Sequence, residues 1–355
     1  VISFVPGPAH VRADVLAAMS APPLPHRSEA FRQVVRRVHR GLGLVLSTGS
    51  PAFPVLGSAT ASVELALRGV ARARALVVAN GSFGERMAAI AASLGLDVET
   101  LAVPAGEPVD PDLLARALAA GSFDTVGFVH VETSTGAISD VAALADVVRA
   151  RPGVALVVDA VSSLGGVELA FDRLGPDAVL VASTCKALAC PPGMSIVAAG
   201  PGALERAKTS DRAGFALHLE RLAEFHGQGE VPYTPNVALF MALDRQLAHV
   251  LAEGMPARAA RHREMARIVQ AWATERFGLF AGEGARSPTV TAVENTRGID
   301  VPRLLAAVER RGFRIADGHG ALKGATFRIG HMGDVTVAET QALLAALDEA
   351  VGEVG

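Results

Sequence analysis

Lys186 lies in Ser183-Thr184-Cys185-Lys186-Ala187-Leu188-Ala189-Cys190-Pro191-Pro192-Gly193, among small residues and ahead of a Pro-Pro-Gly turn. The apolar run Asp177-Ala178-Val179-Leu180-Val181-Ala182 leads into it and reads as a buried strand. A second apolar run, Val154 to Val158, ends in Asp159. Each run delivers one ionisable group, an amine or a carboxylate, to the carboxyl end of a strand. Open α/β sheets bind ligands at that edge. An amine and a carboxylate placed there are what pyridoxal 5'-phosphate requires. The lysine forms the Schiff base, and the carboxylate holds the pyridine nitrogen protonated. A partly desolvated lysine is a better nucleophile than an exposed one, and once released it can move a proton as base and then as acid. The plainer alternatives are a solvated lysine, which the apolar flanks oppose, and an aspartate that only caps the next turn.

Further groups fall at compatible places. Gly57-Ser58-Ala59-Thr60-Ala61-Ser62 precedes the helical stretch Val63–Gly69. Free N–H groups and the helix dipole suit an anion there, although alone the motif is more simply an N-cap. Phe83, in Asn80-Gly81-Ser82-Phe83-Gly84-Glu85-Arg86, follows a strand candidate and could stack on a flat heterocycle; alone it reads as core. Thr133, in His130-Val131-Glu132-Thr133-Ser134-Thr135-Gly136, could bond the cofactor's phenolic oxygen or belong to an ordinary polar turn. Val161, two positions after Asp159, could pack against the ring face. Arg328 interrupts the apolar run Thr326-Phe327-Arg328-Ile329, and its fork suits a carboxylate, on a substrate or in a structural ion pair. His331 reads as a packing or turn residue.

The elements that must position these groups alternate from about residue 50 to residue 200. Strand candidates are Ala75–Ala79, Asp97–Val103, Thr125–Val131, Val154–Val158, Val179–Ala182 and Ser195–Ala199, with helical patterns such as Gly84–Leu94, Asp110–Ala120 and Val141–Ala150 between them. The alternation predicts an α/β fold, a mostly parallel sheet sandwiched by helices. From Pro235 to about Ile268 the pattern is almost wholly helical and reads as one long connecting helix. A smaller C-terminal α+β domain follows, with strands at Thr289–Val293, Phe313–Ala316 and Thr326–Ile329 and helices at Val301–Arg311 and Val337–Val351. The expected division is an N-terminal arm (1–28), a large domain (29–250) and a small domain (251–355), the proline-rich Ala21-Pro22-Pro23-Leu24-Pro25-His26 forming an extended arm. The chain has 355 residues, half of them hydrophobic, and a formal net charge of −3. That balance gives no case for nucleic acid or an anionic membrane as partner. Cys185 and Cys190 are too close in sequence for a useful staple. Neither a signal peptide nor a membrane-spanning run is evident, so a reduced, cytoplasmic setting is expected.

Taken together the motifs resemble the class V, fold-type I aminotransferases, and within them the alanine–glyoxylate and serine–glyoxylate group. The resemblance rests on Pro6-Gly7-Pro8, Gly57-Ser58-Ala59-Thr60, Asn80 to Arg86, Glu132 to Gly136, Asp159-Ala160-Val161-Ser162-Ser163, Lys186-Ala187-Leu188 with Pro191-Pro192-Gly193, Leu322-Lys323-Gly324 and Arg328 to Gly333. It implies an internal aldimine on Lys186, a pyridine nitrogen bound by Asp159 and a ring held between Phe83 and Val161. It further implies that Thr133 meets the ring hydroxyl, that Ser58, Ala59 and Thr60 hold the phosphate, and that Arg328 binds the substrate carboxylate. Family members are homodimers with shared active sites, which implies that Thr234 reaches the neighbour's phosphate. Two positions depart from the pattern. Cys185 stands where a glutamine commonly contacts the phosphate, and Val231 where an aromatic often precedes the threonine.

The expected reaction moves an amino group from alanine or serine to glyoxylate or pyruvate by a ping-pong mechanism. A different amine, such as 2-aminoethylphosphonate, ureidoglycine or pyridoxamine, is the alternative, with Arg27 the candidate extra cation for a phosphonate. A cysteine desulfurase would need Cys185 or Cys190 as nucleophile, and both flank the lysine. A non-catalytic pyridoxal-phosphate-binding protein would need a partner-binding extension. A dinucleotide-binding protein would need a G-x-G-x-x-G turn after the first strand, and there is none.

Overall fold

A computed structural model describes residues 1–354. Its seven-stranded central sheet has the order Ala52–Leu56, Met194–Ala199, Ala178–Ser183, Ala155–Asp159, Thr125–Val129, Arg74–Ala79, Asp97–Ala102. Met194–Ala199 is antiparallel to both neighbours, and the other strands all run one way. The chain thus has the expected α/β class and mostly parallel sheet. Alternate residues of one strand enter different cores. Leu156 and Val158 face the helices Glu29–Val45, Pro111–Ala120, Val141–Arg149 and Val237–Glu253, whereas Ala155 and Val157 face Ala59–Val70, Ser82–Ser93 and Pro201–Lys208. Burial on both faces is why these strands read as continuous apolar runs rather than as alternation. The register sets Asp159 beside Val181, on the strand that leads to Lys186.

A second core is built on a four-stranded antiparallel sheet, Gly278–Leu279, Thr291–Glu294, Thr326–Ile329 and Ala316–Asp317. Met255–Arg276, Val301–Arg310 and Val337–Val354 supply its helices through residues such as Val269, Leu304 and Leu347. Ile2–Ser3 pairs in parallel with Phe313–Arg314, and Phe4 is buried in this same core.

Several elements differ from the sequence reading. The helical run after Pro235 is two helices, Val237–Glu253 and Met255–Arg276, broken at Gly254, whose φ of +79° favours glycine. Within residues 1–28, Ala13–Ala18 is helical, and the proline-rich Pro22–Pro25 has no regular structure. Glu29–Val45 and Ala52–Leu56 were not expected as elements. Among the described residues no helix is long and apolar enough to cross a membrane.

Candidate active site

Asp159 is the last residue of its strand, and the following Ala160 N–H donates to the carbonyl of Val181 at 2.7 Å. Lys186 lies in the turn that follows Ala178–Ser183. That turn is closed by the Ala189 N–H, which donates to the Lys186 carbonyl at 2.8 Å, and by Thr184 Oγ1, which donates to Met194 at 2.9 Å. Ala189 takes a φ of +56°, so the turn is backbone-strained. Asp159 is buried. One of its oxygens accepts from the Val161 N–H at 2.9 Å, so the residue does cap the next turn. Its other oxygen has no partner among the described residues, and the residue borders a cavity lined by Ala59, Thr60, Phe83, Arg86 and Val161. Burial pushes its carboxyl up to about 6, helped by Glu132 and opposed by the Val161 N–H, Lys186 and Arg86. Lys186 is half-buried and its Nζ donates to the carbonyl of Pro6. Burial brings its amine down to about 8; Arg328 adds to this, while Cys185 and Asp159 oppose it.

The other expected residues divide. Ser58 is the N-cap of Ala59–Val70, its Oγ accepting from the Ala61 N–H at 3.3 Å. Ala59 and Thr60 are therefore first-turn residues whose N–H groups have no helical acceptor, and both border the cavity. Phe83 lies at the same cavity, with the Arg86 guanidinium 4.7 Å from its ring and the His319 ring 5.2 Å away. Thr133 Oγ1 and Ser162 Oγ are 2.5 Å apart. Arg328 Nη1 donates to the Thr133 carbonyl at 3.3 Å and its Nε to the Asp317 carbonyl at 2.9 Å. Arg328 makes no ion pair with a carboxylate among the described residues, so the structural ion-pair alternative does not hold here. Cys185 Sγ is 3.3 Å from Ser183 Oγ. Cys190 is buried, which pushes its thiol up, and both cysteines are free.

Thr234 is not brought to this cavity by its own chain. It is exposed and lines a separate groove with Pro54, Val55, Leu222, Val231 and Tyr233. Arg27 is also elsewhere, donating to the Val231 carbonyl at 3.0 Å and pairing with Glu230 at 3.5 Å. His331 is buried with both ring nitrogens engaged, Nδ1 donating to the Pro288 carbonyl at 3.0 Å and Nε2 bonded to Thr291 Oγ1 at 2.8 Å. It is the packing residue expected.

Sequence reasoning gave no role to three neighbours. Glu132 is fully buried and accepts from the N–H groups of Phe83 at 2.9 Å, Gly84 at 3.2 Å and Ser134 at 3.0 Å. A carboxylate at the start of the helix Ser82–Ser93 thereby fixes the backbone of Phe83. Its place in the polar run after a strand was the available signal. Arg86 is exposed over the Phe83 ring, and the spacing from Phe83 on one helix could have suggested it. His319 keeps a buried Nδ1 without a partner, and nothing local in its glycine-rich surroundings pointed to it.

Residues 24–338 match the family described as Aminotransferase class-V. The soluble hydrogenase small subunit of Synechococcus sp. is 32% identical, covering 99% of this chain and 93% of its own. The L-aspartate–glyoxylate aminotransferase of Paracoccus denitrificans is 30% identical, covering 99% and 91%. The solved alanine–glyoxylate aminotransferase of Nostoc sp. superposes with a TM-score of 0.93 at 27% identity, covering 99% and 95%. The chain belongs to the class V aminotransferases, with the fold-type I architecture. It is a pyridoxal-phosphate-dependent transaminase. The residues present fit that cofactor: a buried carboxylate with one open oxygen and helix N-terminal residues on one cavity, and a half-buried amine at the end of the neighbouring strand.

Proposed function

We propose that this transaminase moves an amino group from a small amino acid, alanine or serine, to a small 2-oxo acid, glyoxylate or pyruvate. The observation that carries the reading is Arg328, a half-buried cation near Lys186 with no carboxylate of its own. Donor and acceptor share a carboxylate, so one guanidinium fork can seat both in turn, as a ping-pong scheme needs. Lys186 would hold the cofactor through its amine, which the donor's binding would leave free. It then takes the proton from the donor's α-carbon, and in the second half-reaction returns one to the acceptor's α-carbon. An amine lowered to about 8 keeps a useful neutral fraction near neutral pH. Pyridoxal phosphate, when bound, supplies the electron sink for the α-carbon. The open oxygen of Asp159 would accept a hydrogen bond from the protonated ring nitrogen. Phe83 and Val161 would flank the ring, and Thr133 would meet its hydroxyl. Ser58, Ala59 and Thr60 receive the phosphate, with Cys185 beside Lys186. Thr234, exposed and away from its own cavity, would serve the neighbour's phosphate in a homodimer. Residues 29–250 form the cofactor-binding domain in this reading. The two free cysteines support a reducing, cytoplasmic setting.

The test is the absorbance spectrum of the protein supplied with pyridoxal phosphate, before and after L-alanine, L-serine or 2-aminoethylphosphonate. A visible band that bleaches with alanine or serine supports the proposal. Bleaching by 2-aminoethylphosphonate alone moves the donor to another amine, and no band at all sinks the role of Lys186.

A further inference from the structure

The geometry points to Arg258 as a positioning residue for Lys186, fixing the turn that carries the lysine against the turn that follows Asp159. Arg258 lies in the first turn of Met255–Arg276 and is almost wholly buried. Its Nε donates to the Gly165 carbonyl at 2.7 Å and its Nη2 to the Ala187 carbonyl at 2.8 Å. Gly165 belongs to the segment that begins at Asp159, and Ala187 follows Lys186 directly. One planar group therefore joins the two loops that carry the amine and the carboxylate. The loops touch closely: a Cβ on Gly165, whose φ is +92°, would sit 3.0 Å from the Ala187 carbonyl.

The rest of the guanidinium is anchored from behind. Nη1 pairs with Glu253 and with Asp334, each at 2.8 Å. Arg261 holds Glu253 at 2.7 Å, and Gln246 donates to Asp334 at 2.9 Å. The brace is thus fixed by a helix and by the segment after Gly333, not by the sheet edge it steadies. Lysine cannot copy it, because one ammonium lacks a rigid fork able to reach two carbonyls and two carboxylates together. The turn that carries Lys186 is otherwise held by its own internal bonds, by the Ala9 N–H, which donates to the Cys185 carbonyl at 2.8 Å, and by the bond from Lys186 to Pro6. Beyond the sheet register, Arg258 adds the side-chain tie that runs from this turn to the loop after Asp159.

The catalytic meaning rests on the proposed role of Lys186, so the test separates the two ideas. Two variants of the full chain are compared with wild type. Arg258→Lys keeps a cation beside the acids. Arg258→Met with Asp334→Asn removes the cation and one acid, leaving Glu253 to Arg261. The first readout is the pH midpoint for acetylation of Lys186 by acetic anhydride in cofactor-free protein, followed by mass spectrometry. The second is the visible band with pyridoxal phosphate, with kcat and KM for a donor that bleaches it. In variants that retain the wild-type unfolding transition, the Lys186 midpoint should move by about half a pH unit or more. The kcat should fall on the order of 10- to 100-fold, with KM within about twofold. A wild-type midpoint in either folded variant overturns the brace, and unfolding of both reduces Arg258 to a purely structural role, which also overturns it. A moved midpoint without a visible band in wild type keeps the brace and removes the cofactor role of Lys186.

Discussion

Arg258 and Arg328 both approach the Lys186 region, and the chain treats them differently. Arg258 is buried with two carboxylates and two carbonyls around its fork. Arg328 is half-buried and has only two carbonyls. Two histidines repeat the contrast. His331 has a partner on each ring nitrogen, while His319, beside Phe83, leaves Nδ1 buried and unpartnered. Buried polar groups are normally satisfied, so a local run of unmet ones marks where a ligand completes the set. Arg258 and His331 belong to the scaffold side. Lys186, Asp159, Arg328 and His319 belong to the open side, and their presence works against stability.

The largest expected effect breaks the open side. Lys186→Met should lower turnover by about 1,000-fold or more and abolish the visible band, measured by steady-state kinetics and absorbance. Arg328→Met comes next, with kcat/KM for the bleaching donor down about 100-fold and the unfolding midpoint of the cofactor-free protein unchanged or raised. If that midpoint fell sharply, Arg328 would belong with Arg258 and the contrast would fail. On the scaffold side, His331→Leu should leave the Thr291 hydroxyl and Pro288 carbonyl unmet, at about 1–3 kcal/mol in denaturant unfolding, with kcat within about twofold.

The smallest effect is a dependence on pH. Folding lowers the Lys186 amine from 10.5 to about 8, so the fold disfavours its charged form. Below about 8 both folded and unfolded lysine are charged and the penalty is complete. Between about 8 and 10.5 the folded state has lost the proton first, so this group's penalty shrinks as pH rises. Asp159 is the mirror image. Its penalty is complete above about 6 and shrinks as pH falls from there towards 3.8. Cofactor-free Lys186→Met should therefore be more stable than wild type at neutral pH, by a margin that narrows on going alkaline. Paired urea titrations at several pH values check this.

On the open side Asp159 and Lys186 were legible because they end or follow strands, and buried parallel strands announce themselves as apolar runs, whereas His319 carried no local signal. Lys186, Asp159 and the small-residue helix start at Ser58 all follow from that local pattern. The scaffold side was not. Arg258, in Ala257-Arg258-Ala259-Ala260-Arg261, looks like a solvated helical arginine, and its two carbonyl partners are 93 and 71 positions away. Ala52–Leu56 was obscured by Pro54, which argues against a strand unless it lies at a sheet edge, where this one lies. Glu29–Val45 did carry a helical signal in Phe31, Val34, Val35, Val38 and Leu42, which the reading from residue 50 onward passed over. Thr234 is exposed and lines a separate groove, so its own chain gives it no partner at the cavity.

The short strand Ile2–Ser3 has a consequence for how the chain is made. Its partner, Phe313–Arg314, lies more than three hundred positions later. During synthesis the segment from Ile2 to Pro6 waits, unpaired, until Phe313–Arg314 has left the ribosome. Contacts of such separation form late and carry a large loop-closure penalty. Pro6 is the residue whose carbonyl meets Lys186, so the wall beside the lysine is completed only once Phe313–Arg314 has been made.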